Sequence, residues 1–451
     1  MPLLIIALIG LVVVHGYLWL RLVRDTTRPG RLRRYGTWLL GFLALLAPLT
    51  MVITRTTGPS ISRPFAWLGY PWIGLLFYLV IFFLLLEVPR ALIEWRLRRT
   101  TAPTTARTTT QASSNPSGQT APDDPVDAAP NGQPDTAATP PVPTPDSEPE
   151  QQTSTPQTLT PQTPATPTPD NSDLLLSRRL VLARSVALLA AAATVGTVGY
   201  GVRTALGEPT IKQVTVPLRR LNRRMSGFRI AVVSDIHLGP FIGRGFAERV
   251  VTLVNRQQPD LVAIVGDLVD GPVAELGQAA TPLRDLTARH GAYFVTGNHE
   301  YYSGADEWLD QIRELGVRPL VNQRVEINQG AVTLDVAGVN DAEAERFGGE
   351  EPDYDAALGD RDPTRPVVLL AHQPVQVHRA AEYGVDLQLS GHTHGGQLFP
   401  FHLMVRLQQP TLSGLTKFDD TWLYVTNGAG FFGPPIRVGA PPDITIVRLV
   451  S

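Results

Sequence analysis

The chain of 451 residues contains no cysteine. That excludes disulfides, thiolate metal sites and cysteine nucleophiles. Charge of one sign is not in excess either: 39 Lys and Arg stand against 41 Asp and Glu, a formal net charge of −2. No global basic field therefore argues for nucleic acid. Charge is missing altogether from three apolar runs near the start, 3–20, 38–53 and 68–86. Large apolar residues are nearly missing from 100–173, which is built of Thr, Pro, Ala, Ser, Gln and Asp. Such a stretch cannot bury enough surface to offset its ordering entropy, and it is expected to be a disordered tether.

Each of the three uncharged runs is near the ~20 residues needed to cross a hydrocarbon core. The first has no basic flank before it and no small-x-small cleavage site, so it reads as a span and not as a removed signal. A fourth run, 185–202, is rich in Ala, Gly and Val and is preceded by Arg178, Arg179 and Arg184. Paired arginines before an apolar stretch resemble a twin-arginine export signal, but the internal position favours a membrane anchor. Arg21, Arg24, Arg28, Arg31, Arg33 and Arg34 follow the first run, and Arg90, Arg96, Arg98 and Arg99 follow the third. Only Arg55 and Arg63 lie between the second and third. The positive-inside rule then puts the tether in the cytoplasm and the segment after the fourth run outside it. A glycosylated outer stalk over 100–173 would need the opposite topology. The expected organisation is three transmembrane helices in 1–99, the linker 100–173, a fourth helix or anchor in 174–208, and a catalytic domain over 209–451.

Short apolar runs at 229–233, 261–265, 292–296, 332–339, 367–371, 387–389, 422–426 and 444–449 read as buried strands. Helical spacing falls between several of them, at 245–257, 283–289, 305–315 and 375–383. The alternation predicts an α/β fold with buried sheets, whose ligands gather at the carboxyl ends of strands. Five clusters bear chemistry: Asp235-Ile236-His237, Gly266-Asp267, Gly297-Asn298-His299, His372 and Gly391-His392-Thr393-His394. Carboxylate, amide and imidazole together suit a pair of hard-to-borderline divalent metals. Two such metals close together are a device for phosphate-ester cleavage. Residues i and i+2 of an extended segment project to one side, so Asp235 with His237, and His392 with His394, are each expected to enter one pocket from extended backbone.

Those blocks, D-x-H, G-D, G-N-H-E, H and G-H-x-H in that order, resemble the calcineurin-like metallophosphoesterases from about residue 209 onward. GHTHGGQLFP at 391–400, with GPPIR at 433–437 and PPDITIVRL at 441–449, looks like the membrane-associated bacterial branch. The resemblance implies a four-layer α/β/β/α sandwich and two divalent ions of the Mn, Fe or Zn kind. It implies that Asp235, His237 and His394 hold one ion, that Asp267 bridges, and that Asn298, His372 and His392 complete the other. His299 is then the catalytic candidate, a general acid for the leaving oxygen or a stabiliser of transition-state charge. The implied activity is hydrolysis of a phosphodiester or pyrophosphate bond, with a substrate in membrane lipids or envelope precursors and no specific nucleic-acid partner. A broad-specificity phosphatase and a binding scaffold that keeps the fold are the competing readings.

Around the blocks, Glu300 is read as a partner of an imidazole or a solvated helix start. Arg437 is read as a contact to substrate phosphate or a structural ion pair. Phe401, Phe431 and Phe432 are read as core in preference to an apolar lip near the site. His290, His378 and His402 fit no block and read as surface histidines. Asn427 stands where the resembling branch has an arginine, which leaves position 427 without an expected substrate role.

Overall fold

A computed structural model describes residues 2–100 and 171–451. Met1–Glu94 together with Leu176–Ser451 make one compact unit, and Trp95–Leu175 make a second. Most of the expected tether lies outside the described residues.

The apolar runs are helical, as their composition dictates. Helix α1 covers Pro2–Leu18 and continues as a π-helical turn to Arg24, followed by α2 (Arg31–Thr56), α3 (Pro59–Thr100) and α4 (Asn171–Leu206). Three segments, Arg31–Thr56, Pro59–Arg96 and Arg178–Leu206, are long and apolar enough to cross a membrane. Arg21, Arg90 and Arg184 meet at one end of the bundle. Arg21 pairs with Asp25 at 2.9 Å and Glu87 at 2.7 Å, Arg90 with Glu94 at 2.9 Å, and Arg184 Nε donates to the Thr26 carbonyl at 3.0 Å. Near its other end the bundle meets the globular part. Arg63 Nε donates to the Pro240 carbonyl at 3.1 Å, and Trp67 meets Phe241 edge-on at 5.0 Å. The Arg437 amide donates to the Gly201 carbonyl at 2.9 Å.

The globular part holds two six-stranded mixed sheets. The first contains β1 (Thr210–Pro217), β2 (Arg229–Val233), β3 (Leu261–Val265), β4 (Ala292–Val295), β5 (Arg318–Pro319) and, last in the chain, β12 (Asp443–Val450), ordered β1-β12-β2-β3-β4-β5. The second contains β6 (Gln323–Gln329), β7 (Val332–Gly338), β8 (Val367–Leu370), β9 (Leu387–Ser390), β10 (Gly414–Phe418) and β11 (Thr421–Val425), ordered β10-β11-β9-β8-β7-β6. Alternation within strands builds the layers. Ile230 and Val232 of β2 join Val336 and Leu370 in the core between the sheets. Ala231 and Val233 face the other way, toward α5 (Arg244–Arg256), α6 (Val273–Ala280) and α8 (Ala305–Glu314). Ala337 and Leu369 pack on α9 (Tyr354–Leu358) and α10 (Val377–Glu382). The result is the expected four-layer α/β/β/α sandwich. One expected helix is absent: in 283–289 only the end of a 3₁₀ turn, Thr281–Asp285, forms.

Candidate metal centre

The ligand-bearing loops leave the carboxyl ends of β2, β3, β4, β8 and β9, where parallel strands present their termini together. The backbone there is not extended. Asp235, His237, Asp267, His392 and His394 all have φ between +50° and +70°. The side-by-side placement of Asp235 with His237, and of His392 with His394, therefore comes from left-handed turns and not from strand alternation. Left-handed backbone at a non-glycine residue costs on the order of 1–3 kcal/mol and gathers at functional sites.

Two trios form around the expected ligands, each with its candidate ligand atoms within 4.8 Å of one another: Asp235, His237 and His394, all buried, and Asp267 and His372, both buried, with the half-buried His392; His237 closes a third such trio with Asp270 and His299. His237 Nε2 lies 3.0 Å from His394 Nε2, and His394 Nε2 lies 3.4 Å from Asp235 Oδ1. His372 Nε2 is 3.1 Å from Asp267 Oδ2. Asp267 Oδ2 is also 3.9 Å from His237 Nε2, so the carboxylate stands between the trios. Asn298 opens α7 (Asn298–Ser303), and the next amide, that of His299, donates to Asp267 Oδ1 at 3.0 Å. All seven expected ligands are thus drawn to one place.

The donor set fits divalent ions. Asn298 Oδ1 is buried without a hydrogen-bond partner, a costly state that a cation would relieve. Burial pulls the His372 imidazole down, but the Asp267 carboxylate beside it outweighs this and holds it well above the usual value. Burial pushes His392 down to about 3, helped by the charge on His372. Burial and the neighbouring Arg437 keep His394 well below the usual value. Burial would raise Asp267, yet the surrounding imidazoles hold it well below the usual carboxylate range. Asp267 is thus ionised and His392 and His394 are neutral, as a cation needs, whereas His372 would release its proton on binding one.

Outside the ligands stands a residue without a role in any of the five blocks. Asp270 Oδ1 lies 2.8 Å from His237 Nδ1 and 2.6 Å from His299 Nδ1. It fixes both rings at once, and the facing imidazoles hold it below the usual carboxylate range even though burial opposes them. Its sequence setting, Asp270-Gly271-Pro272, reads as a turn, and only its distance of three residues from Asp267 hints at more.

Glu300 is neither exposed nor an imidazole partner. It is fully buried and accepts from the amides of Gly297, Asp267 and Leu268 at 2.7, 3.0 and 2.8 Å, tying two ligand loops together. Arg437 makes no ion pair and does not face the site as a phosphate contact. Fully buried, it donates to the carbonyls of Gly430, Ala440 and Asn427 at 2.8, 3.0 and 2.8 Å, and its Nη2 lies 2.9 Å from His394 Nδ1. Burial lowers it to about 10. Asn427 is buried and donates to the Pro441 carbonyl at 2.9 Å. Phe431 is core, as expected. Phe432 and Phe401 are not: both are exposed, and the Phe432 ring stands 4.9 Å from that of His299 and 5.8 Å from that of His237. His290 stacks on Phe228, His378 meets Phe418 edge-on and His402 stacks on Phe399.

The same domain is found in known proteins. The profile of the calcineurin-like phosphoesterases matches residues 228–396. The chain is 39% identical over 259 residues to a transmembrane protein with metallophosphoesterase domain from Danio rerio, covering 55% of this chain and 59% of that protein. It therefore spans about six tenths of that relative. It is 38% identical over 280 residues to an uncharacterized metallophosphoesterase from Helicobacter pylori, covering 62% of this chain and 74% of the relative. The similarity to the metallophosphoesterase YkuE of Bacillus subtilis is 30% over 292 residues, 61% of this chain and 98% of that protein. With the layered sheets, the clusters of Asp and His at the strand ends and these relatives in agreement, the chain belongs to the calcineurin-like phosphoesterase family, whose members are metal-dependent phosphoester hydrolases.

Proposed function

We propose that the protein is a membrane-anchored dimetal phosphoesterase that cuts phosphodiester or pyrophosphate bonds in membrane lipids or envelope precursors. The observation that carries the reading is the pair of trios Asp235–His237–His394 and Asp267–His372–His392, with the Asp267 carboxylate of the second reaching toward His237 of the first. Asp235, His237 and His394 would hold one ion, Asn298, His372 and His392 the other, and Asp267 both. The ions supply a water made nucleophilic near neutral pH and neutralise phosphate charge. The chain's own contribution is orientation. Asp270 holds His299 by Nδ1, which leaves Nε2 to give a proton to the departing oxygen. Glu300 keeps the Asp267 and Asn298 loops in register.

The lipid part of the reading draws support from the helices. In it, 1–99 and 174–208 carry the spans, 100–173 joins them and 209–451 is the catalytic domain. The greater number of arginines after the first and third runs favours a cytoplasmic face there, which would put the domain outside the cytoplasm. An enzyme held at a bilayer gains effective concentration only for substrates held there too.

The test uses the full chain in nanodiscs with a bis-aryl phosphodiester, with and without chelator, beside Asp267→Asn. The expected result is loss of turnover on chelation, restored by Mn, Fe or Zn, and loss of both turnover and metal content in the variant. Two metals per chain in Asp267→Asn would remove the bridging role. If soluble nucleotides are cleaved as fast as a lipid pyrophosphate in the same membrane, the lipid assignment is wrong.

A further inference from the structure

Large apolar side chains are exposed at nine positions between β1 and the end of the chain. Five fall within nine consecutive residues, Phe399, Phe401, Leu403, Met404 and Leu407, and Leu407 is 77% exposed. Three more, Tyr302, Phe347 and Phe432, form a chain of ring contacts with His299 at 4.7–4.9 Å. The last, Val375, donates its amide to Gln409 Oε1 at 3.0 Å, just past the run. Every exposed large apolar residue of the catalytic domain therefore lies on one face, around the mouth of the metal centre. Soluble surfaces scatter such residues singly, and a contiguous set marks an interaction site.

What covers this face is indicated by where the segment is rooted. Leu398 and Val438 pack in one cluster with Tyr78 and Phe77 of α3 and Val198 and Val202 of α4. These belong to two of the helices long and apolar enough to cross a membrane. The exposed run thus begins on the flank of the spans. Gln397, two residues before it, grips Phe432 by two hydrogen bonds, Nε2 to the Phe432 carbonyl at 2.9 Å and the Phe432 amide to Oε1 at 3.1 Å. Behind the run lies a cleft of about 650 Å³ lined by Gly395, Phe399, His402, Arg406 and Thr416, with Gly395 next to the ligand His394. The exposed guanidinium of Arg406, among apolar neighbours, is the arrangement by which cationic side chains sit at a phosphate-bearing lipid interface.

We infer that 399–407 is a membrane-inserted lip: its apolar side chains enter the bilayer beside α3 and α4, Arg406 meets lipid phosphate, and the metal centre opens directly onto the headgroup layer. The inference rests on reading the helices as spans, not on which phosphate bond is cut.

The absence of native cysteine allows single labels without background. Leu403→Cys and Leu407→Cys, with Asp420→Cys as a control in the β10–β11 turn, would be prepared in the full chain. Each carries an environment-sensitive fluorophore in phosphatidylcholine–phosphatidylglycerol vesicles. Quenching by lipid-borne nitroxide should be several-fold stronger at 403 and 407 than at 420, and quenching by aqueous iodide several-fold weaker. Arg406→Glu should make the two lip labels shallower. Equal iodide quenching at all three positions would overturn the inference. So would labels at 403 and 407 that are shielded from both quenchers, since a second protein copy would then cover the face. Label depth is read without turnover, so a wrong assignment of the substrate leaves this outcome untouched.

Discussion

A single carboxylate, Asp270, holds two imidazoles of the centre by their Nδ1 atoms. Outer partners of ligating histidines commonly contribute 10–100-fold to affinity or activity. Asp270→Asn should therefore lower turnover by about 10–100-fold. Because His299 would lose its orienting partner, the loss should be larger for substrates with poor leaving groups than for good ones. Initial rates on a series of aryl phosphodiesters would show this, and unchanged rates across the series would remove the orienting role. The proton balance of the centre gives a second expectation. His372 is held above the ordinary imidazole value, so its proton must leave before the ring can ligate. Below that raised value protons compete with metal. Affinity should fall by about tenfold per pH unit for each proton displaced, starting at a pH above the ordinary ~6.5 of histidine. Calorimetric titration of metal at pH 7 in buffers of different ionisation heat should show proton release. Release should be smaller in His372→Gln, though not lost, because His237 is raised as well. The residues of the candidate centre were readable in the sequence because each sits in a short block of distinct residue types. Asp270, Glu300 and Arg437 were not read correctly because their partners are backbone groups and rings brought from elsewhere in the chain. Nothing adjacent to them in sequence announces those partners.

At the scale of elements, the buried parallel strands were legible because both faces are covered and their sequences are continuous apolar runs. The edge elements were not. In β6, Val325 and Ile327 are buried between the more exposed Arg324, Glu326 and Asn328, a period-two pattern hidden in a polar stretch. Strands β1 and β10 escape notice for the same reason, being edges of their sheets. The loops that carry the ligands are packed more tightly than a glycine count suggests. A Cβ at Gly391 would stand 2.0 Å from Ser234 Oγ and 2.3 Å from Asp235 Oδ2. Gly391→Ala should therefore destabilise the fold by about 1–3 kcal/mol, as overpacking does. It should also reduce metal content by displacing Asp235. Thermal unfolding and metal analysis would check both, and a wild-type melting curve would show that the loop has slack the geometry denies.

For the whole molecule, helix α4 ends at Leu206 and strand β1 begins at Thr210. The three residues between them reach at most about 10 Å. β1 then pairs along its full length with β12, the neighbour of the ligand-bearing strand β2, and Lys212 is tied to Asp443 at 2.7 Å. A domain so joined cannot swing independently of its helix, and whatever tilts α4 tilts the sheet that carries the metal centre. Spanning helices answer a change in hydrocarbon thickness by tilting. With α4 spanning the bilayer as proposed, bilayer thickness becomes an input to the enzyme: lipids of longer or shorter acyl chain should shift turnover on a membrane-borne substrate, with an optimum at one thickness, while a small soluble ester is cut at a constant rate. Assays in vesicles of graded acyl length would reveal that optimum, and lengthening the joint with a run of Gly and Ser should flatten it.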